Sequence, residues 1–167
     1  MNKKGFTLVE LLAVIAILAI LVVMAVPNVI SLFNGAKVST FISQVESLYK
    51  SVEQQVVANQ MRGSTSSTYT FCYSTNASDT KTNKLSLSGN DKLYYYITYT
   101  NGKITSFYAQ DASFGVEISN SSGIGLSDFS AATSGKYTYI GTATSTGISG
   151  CSSAPSGIKT ADSVAVE

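Results

Sequence analysis

The chain contains no histidine, and this absence removes several classes of chemistry. Catalytic triads and metal sites that depend on histidine are excluded, and the only two cysteines, Cys72 and Cys151, lack the spacing of a zinc-binding cluster. Glycines such as Gly123, Gly125 and Gly147 lie in Ser-rich segments without the lysine pattern of a phosphate-binding loop. We therefore expect no catalytic residue, no metal site and no cofactor, and we predict that the chain is not an enzyme.

Charged residues are also scarce. They make up 13% of the chain, and the formal net charge is only +1. A nearly neutral surface does not hold nucleic acid by neutralising its phosphates. We therefore predict no direct binding of nucleic acid.

An apolar segment, residues 6–26, dominates the N-terminal part of the chain and is interrupted by one charge, Glu10. Its length is about that of a helix that crosses a bilayer. Lys3 and Lys4 precede it without an acidic partner, which predicts that the N-terminus stays in the cytoplasm and that the rest of the chain lies outside.

A carboxylate within such a segment costs free energy, and residues of this kind are usually paired or functional. We interpret Glu10 as a functional residue that pairs with a cation, and the alternative is that its side chain snorkels to the membrane surface. A secretory signal peptide cut after Ala25 is a further alternative. Glu10 itself and the continuation of the helical pattern past Ala25 argue against a signal peptide.

The run KGFTLVE at residues 4–10, with Pro27 further along the same helix, resembles the amino terminus of type IV pilins and related pseudopilins. This resemblance implies that residues 1–5 are a leader, that a prepilin peptidase cuts between Gly5 and Phe6, and that the new amine of Phe6 is methylated. It also implies the partner of Glu10, which is the amine of Phe6 in a neighbouring subunit of the filament. A buried pair of this kind sets the register between subunits more than it adds affinity.

The resemblance further implies a structural subunit of a type IV pilus, held in the cytoplasmic membrane by a single span and then polymerised with itself into an extracellular filament. The other partners would be an assembly ATPase and an inner-membrane platform protein, and the roles would be adhesion, twitching motility or DNA uptake. One alternative is a pseudopilin of a type II secretion or competence system. A second alternative is a signal-anchored surface binding module that never polymerises.

The helix is predicted to extend over residues 6–63, with a transmembrane part at about 6–26 and an amphipathic part at about 28–62. Pro27 removes one backbone hydrogen bond, and Gly35 follows within the same weak stretch, so we expect this stretch to kink or to lose helical hydrogen bonds in the fibre. Beyond it, apolar residues recur at helical spacing and predict one face that packs on another element, namely Val38, Phe41, Ile42, Val45, Leu48, Tyr49, Val52 and Val56.

Residues 64–167 are rich in Ser, Thr and Tyr and are predicted to form a β-rich extracellular head. Strands are predicted at residues 69–73, 93–99, 103–108, 114–118 and 136–142, and Asn101-Gly102 is a strong hairpin-turn signal. The other segments, including residues 144–167, read as loops or tail. The sequence thus predicts an α+β fold in which the long helix packs against a small antiparallel sheet of four or five strands.

Cys72 and Cys151 are predicted to form a disulfide in this head, because an even pair of cysteines in an extracellular domain most often does so. Two free thiols are the alternative, since the sequence alone does not bring the two residues together.

Overall fold

The computed structural model describes residues 7–74, 85, 87, 93–129, 137–139, 148, 150–155 and 164–165. Within these residues the chain forms one long helix, α1 (Leu8–Met61), followed by an antiparallel β-sheet. The α+β fold predicted from the sequence is confirmed. Gly5 and Phe6, at the predicted cleavage point, lie outside the described residues. The chain divides into two compact units, residues 1–39 and 40–167.

In the first unit, α1 is apolar on every side. Its large side chains between Leu8 and Phe33 are 45% or more exposed wherever they are described. By length and composition this helix is apolar enough to cross a membrane. Pro27 lies inside the helix, which continues through it and through Gly35. The loosening expected for this stretch concerns the assembled fibre and stays a prediction.

In the second unit, the C-terminal part of α1 covers the core of the head with the face that the sequence predicted. The members of that face from Phe41 to Val56 are at most 9% exposed, while Val38 at its start is half-buried. Phe41 contacts Phe114 with ring centroids 5.8 Å apart, and Tyr49 contacts Phe129 at 5.6 Å. The helical spacing therefore identified the packing face correctly.

The helix ends in a Schellman motif centred on Gly63. The amide of Gly63 donates to the carbonyl of Gln60 at 2.9 Å, and the amide of Ser64 donates to that of Asn59 at 3.1 Å. Gly63 has φ = 90°, a conformation that a residue with a Cβ rarely adopts. α1 therefore ends at Met61, within the range predicted for the helix.

The sheet is antiparallel throughout, and its strands are neighbours in chain order. The strands are β1 (Thr68–Tyr73), β2 (Tyr94–Thr100), β3 (Lys103–Gln110), β4 (Phe114–Ser119), β5 (Tyr137–Tyr139) and β6 (Val164–Ala165). The antiparallel sheet predicted from the sequence is confirmed, and the described residues contain one strand more than the five predicted. The additional strand, β6, has two residues and lies in the segment predicted as tail, since a pairing this short leaves no alternation in the sequence.

The β2–β3 hairpin turns at the predicted Asn101-Gly102. Both residues have positive φ, 50° and 87°, as a type I′ turn requires. The amide of Asn101 also donates to the carbonyl of Ser67 at 2.8 Å, so the turn is tied to the chain segment that leads into β1.

The two faces of the sheet are covered by different parts of the chain. Phe71, Ile97 and Phe107 are paired across β1, β2 and β3 and are fully buried on one face. Cys72, Tyr96 and Tyr108 form the corresponding row on the other face, where Ile148 packs on them. Cys72 is bonded to Cys151, with 5.7 Å between the Cα atoms, so the predicted disulfide is confirmed.

Candidate assembly site at the start of the helix

The candidate site lies in the first turn of α1. Thr7 precedes the helix, and its carbonyl accepts the first helical hydrogen bond, from the amide of Leu11 at 3.3 Å. Glu10 follows three residues after Thr7, the spacing at which a side chain can return to the residue that caps the helix. Both polar side chains are exposed at the N-terminal end of an apolar helix.

Thr7 and Glu10 form a reciprocal capping box. The backbone amide of Thr7 donates to Glu10 Oε2 at 2.8 Å, and the Thr7 hydroxyl donates to the same oxygen at 2.9 Å. In return, the amide of Glu10 donates to Thr7 Oγ1 at 3.3 Å. Two backbone amides that the start of a helix leaves without helical partners, those of Thr7 and Glu10, therefore find partners within four residues.

The position of the carboxylate also suits its charge. The N-terminus of a helix carries a partial positive charge, so an anion in the first turn is favourable there. In an apolar surrounding the two hydrogen bonds and this partial charge replace part of the hydration that the carboxylate loses. The cost of placing Glu10 in a membrane is therefore lowered by the local fold of its own chain.

The arrangement presents a carboxylate at the exposed start of the helix, and both hydrogen bonds from Thr7 go to one of its oxygens, Oε2. In the part of the chain that the structure describes, no three acidic or cysteine side chains lie close enough together to hold a metal ion.

The structure places the other predicted residues in separate parts of the fold. Gly5 and Phe6 adjoin Thr7 in sequence but lie outside the described range. Pro27 and Gly35 lie further along α1, and Cys72 and Cys151 belong to the second unit. The described site is thus local, built from one turn of helix.

Thr7 is the residue that sequence reasoning missed. Its signal was present as Thr-x-x-Glu immediately before an apolar run, which is the pattern of a capping box. The partner predicted for Glu10 is the amine of a neighbouring subunit, whereas its partner in the folded chain is Thr7.

Comparison with protein families finds one match. Residues 1–26 match the family described as the prokaryotic N-terminal methylation motif, which is the type IV prepilin-like signature. This match supports a type IV pilin-like or pseudopilin protein. Comparison with curated proteins and with solved structures finds no match.

Proposed function

We propose that this chain, whose N-terminus carries a type IV prepilin-like signature, is a structural subunit of a type IV pilus and not an enzyme. The observation that carries the proposal is Glu10, an acidic residue held at the start of an apolar helix within the matched residues 1–26. A carboxylate in this place calls for a cationic partner, and a processed subunit supplies one.

Processing would occur in the membrane. A prepilin peptidase would cut between Gly5 and Phe6, and the amine released on Phe6 would be methylated and positively charged. Until assembly, the capping box with Thr7 holds the Glu10 carboxylate by two hydrogen bonds. In the filament, the amine of a neighbouring subunit would approach the carboxylate and neutralise its charge.

Assembly would move the helix from lipid into a bundle of identical helices. Both surroundings suit a helix that is apolar on every side, so the exchange costs little in hydrophobic free energy. The work of extraction would come from an assembly ATPase acting through an inner-membrane platform protein. The head would remain outside the cell throughout and would form the surface of the filament.

The proposal predicts that Glu10→Ala abolishes filaments without preventing membrane insertion. The substitution removes the carboxylate that would neutralise the neighbour's amine, so that charge would be buried without a partner. Filaments sheared from the native host and the subunit remaining in the membrane are quantified by immunoblot. We expect at least a tenfold loss of sheared subunit at an unchanged total amount.

Glu117→Ala is the matched control, because it removes an exposed carboxylate from β4 and leaves the helix intact. Wild-type amounts of filament from Glu10→Ala would contradict the proposal. Surface display with no filaments from either the wild type or the variant would favour the anchored binding module.

The mass of the N-terminal peptide tests processing independently. Sheared wild-type material should begin at Phe6 with one added methyl group. A chain that retains Met1, or that begins beyond Ala25, would contradict the proposal because the cation would then be absent. Processed subunit that occurs only in short, cell-associated assemblies would favour a pseudopilin.

A further inference from the structure

The disulfide lies under a segment of chain that crosses the sheet. β5 ends at Tyr139 and β6 begins at Val164, and between them Cys151 is bonded to Cys72 in β1, at the opposite edge of the sheet. Four strand-to-strand steps separate β1 from β5, about 19 Å. The chain between β5 and β6 is therefore held at the far side of the sheet by Cys151. We call the described part of this segment, Ile148 and residues 150–155, the strap.

The strap covers the disulfide on the side of Cys72. Cys72 is 1% exposed and lies beside Tyr96 and Tyr108 in a row across three strands, and Ile148, also 1% exposed, packs on this row. Tyr94 and Cys151 border the cluster and are partly buried. The sulfur of Cys72 is thus enclosed by apolar side chains, whereas Cys151 lies nearer the surface.

Both routes of attack by a thiol are hindered by this arrangement. In thiol–disulfide exchange a thiolate forms a new bond to one sulfur, and the other sulfur leaves as a thiolate with the electron pair of the broken bond. Attack on Cys72 needs access to the enclosed sulfur. Attack on Cys151 expels the Cys72 thiolate into an apolar cluster, where its charge loses hydration.

We infer that the strap is a conformational gate, so that thiols reduce the Cys72–Cys151 bond only when Ile148 lifts from the row of Cys72, Tyr96 and Tyr108. The opening is local, because the opposite face of the sheet has its own core against α1. The disulfide therefore resists reduction for as long as Ile148 stays packed on the row of Cys72, Tyr96 and Tyr108.

The test uses the purified full-length protein in detergent micelles at neutral pH. Dithiothreitol is added, and released thiols are labelled with a maleimide and counted by mass spectrometry. The same reaction in concentrated urea gives the rate for the ungated bond. We expect reduction of the folded protein to be at least tenfold slower than in urea. Equal rates in the two conditions would overturn the inference.

Ile148→Ala tests whether the side chain of Ile148 blocks reduction of the disulfide. It should speed reduction of the folded protein at least tenfold and leave the rate in urea unchanged. Ile118→Ala is the matched control, because Ile118 pairs with Phe107 on the opposite face of the sheet and its truncation weakens the head without touching the strap. Equal acceleration by both variants would overturn the inference, since reduction would then follow global unfolding. Should either variant fail to fold, wild-type reduction is measured at low urea concentrations below the unfolding transition. A rate that changes little there supports local opening, and a rate that rises with urea as steeply as global unfolding does overturns the inference.

Discussion

At the scale of single residues, the functional N-terminus depends on a polar pair in an apolar sequence. Glu10 is a costly residue for a membrane segment, and Thr7 lowers that cost through the capping box. The carboxylate therefore has a partner within its own chain. Thr7 acts by positioning Glu10 and is not itself proposed to contact the neighbouring subunit.

We predict that Thr7→Val loosens the first turn of α1. The loss of a capping side chain costs a helix about 1 kcal/mol, so exchange of the Glu10 amide hydrogen should be roughly fivefold faster. Hydrogen exchange of the full-length protein in micelles, read by mass spectrometry, measures this. Thr7→Ser keeps the side-chain oxygen and should exchange like the wild type. Equal exchange in Thr7→Val and the wild type would contradict the capping role.

At the scale of elements, the end of the helix and the turn of the hairpin both use residues with positive φ. Gly63 closes α1, and Asn101-Gly102 turns β2 into β3. Glycine and asparagine adopt these conformations at little cost, whereas other residues are strained there. These turns determine where the helix stops and in which register the first strands pair.

We predict that Gly63→Ala lowers the stability of the head by about 1 to 2 kcal/mol. A Cβ at Gly63 would meet no atom within 4 Å, so the cost is one of backbone conformation and not of space. Urea unfolding of the full-length protein, followed by tyrosine fluorescence, measures the change.

Gly35→Ala is the control for this substitution. Gly35 has equally open surroundings but lies inside the helix, where alanine is favoured over glycine by about 1 kcal/mol. It should leave the unfolding of the head unchanged. The explanation would be wrong if Gly63→Ala unfolded at the same urea concentration as the wild type.

At the scale of the whole molecule, buried tyrosines link the stability of the head to pH. The Tyr49 hydroxyl donates to the carbonyl of Ile124 at 3.1 Å, and burial, aided by the negative charge of Glu53, raises its pKa to about 12. Burial also raises the pKa of Tyr95 to about 12, although the amide of Leu85 donates to its oxygen. In an unfolded chain both hydroxyls ionise near pH 10, about two units lower.

We predict that the head loses stability between about pH 10 and pH 12. A raised pKa in the folded state means that the folded protein holds its proton more tightly, so the contribution is complete below pH 10 and is lost as the pH rises towards 12. Urea midpoints of the full-length protein across this range measure the loss. Tyr49→Phe removes one of the two groups and should show a shallower fall. The same slope in the variant and the wild type would contradict the assignment.

Local chemistry made much of this fold predictable from the sequence. Helical spacing identified the buried face from Phe41 to Val56, and Asn-Gly identified the hairpin, because each signal acts within a few residues. The apolar run with Glu10 also indicated the prepilin-like N-terminus. Cys72 and Cys151 were expected to pair from compartment and number, without any geometric reason.

The tertiary structure decided the features that depend on distant parts of the chain. The pairing of β6 with β5, the route of the strap across the sheet and the burial of Cys72 beneath Ile148 have no signal in their own segments. The sequence alone determined the apolar helix, its acidic residue and the class of the head. The remaining features needed the folded chain, because contacts between residues far apart in sequence follow from packing and not from local preference.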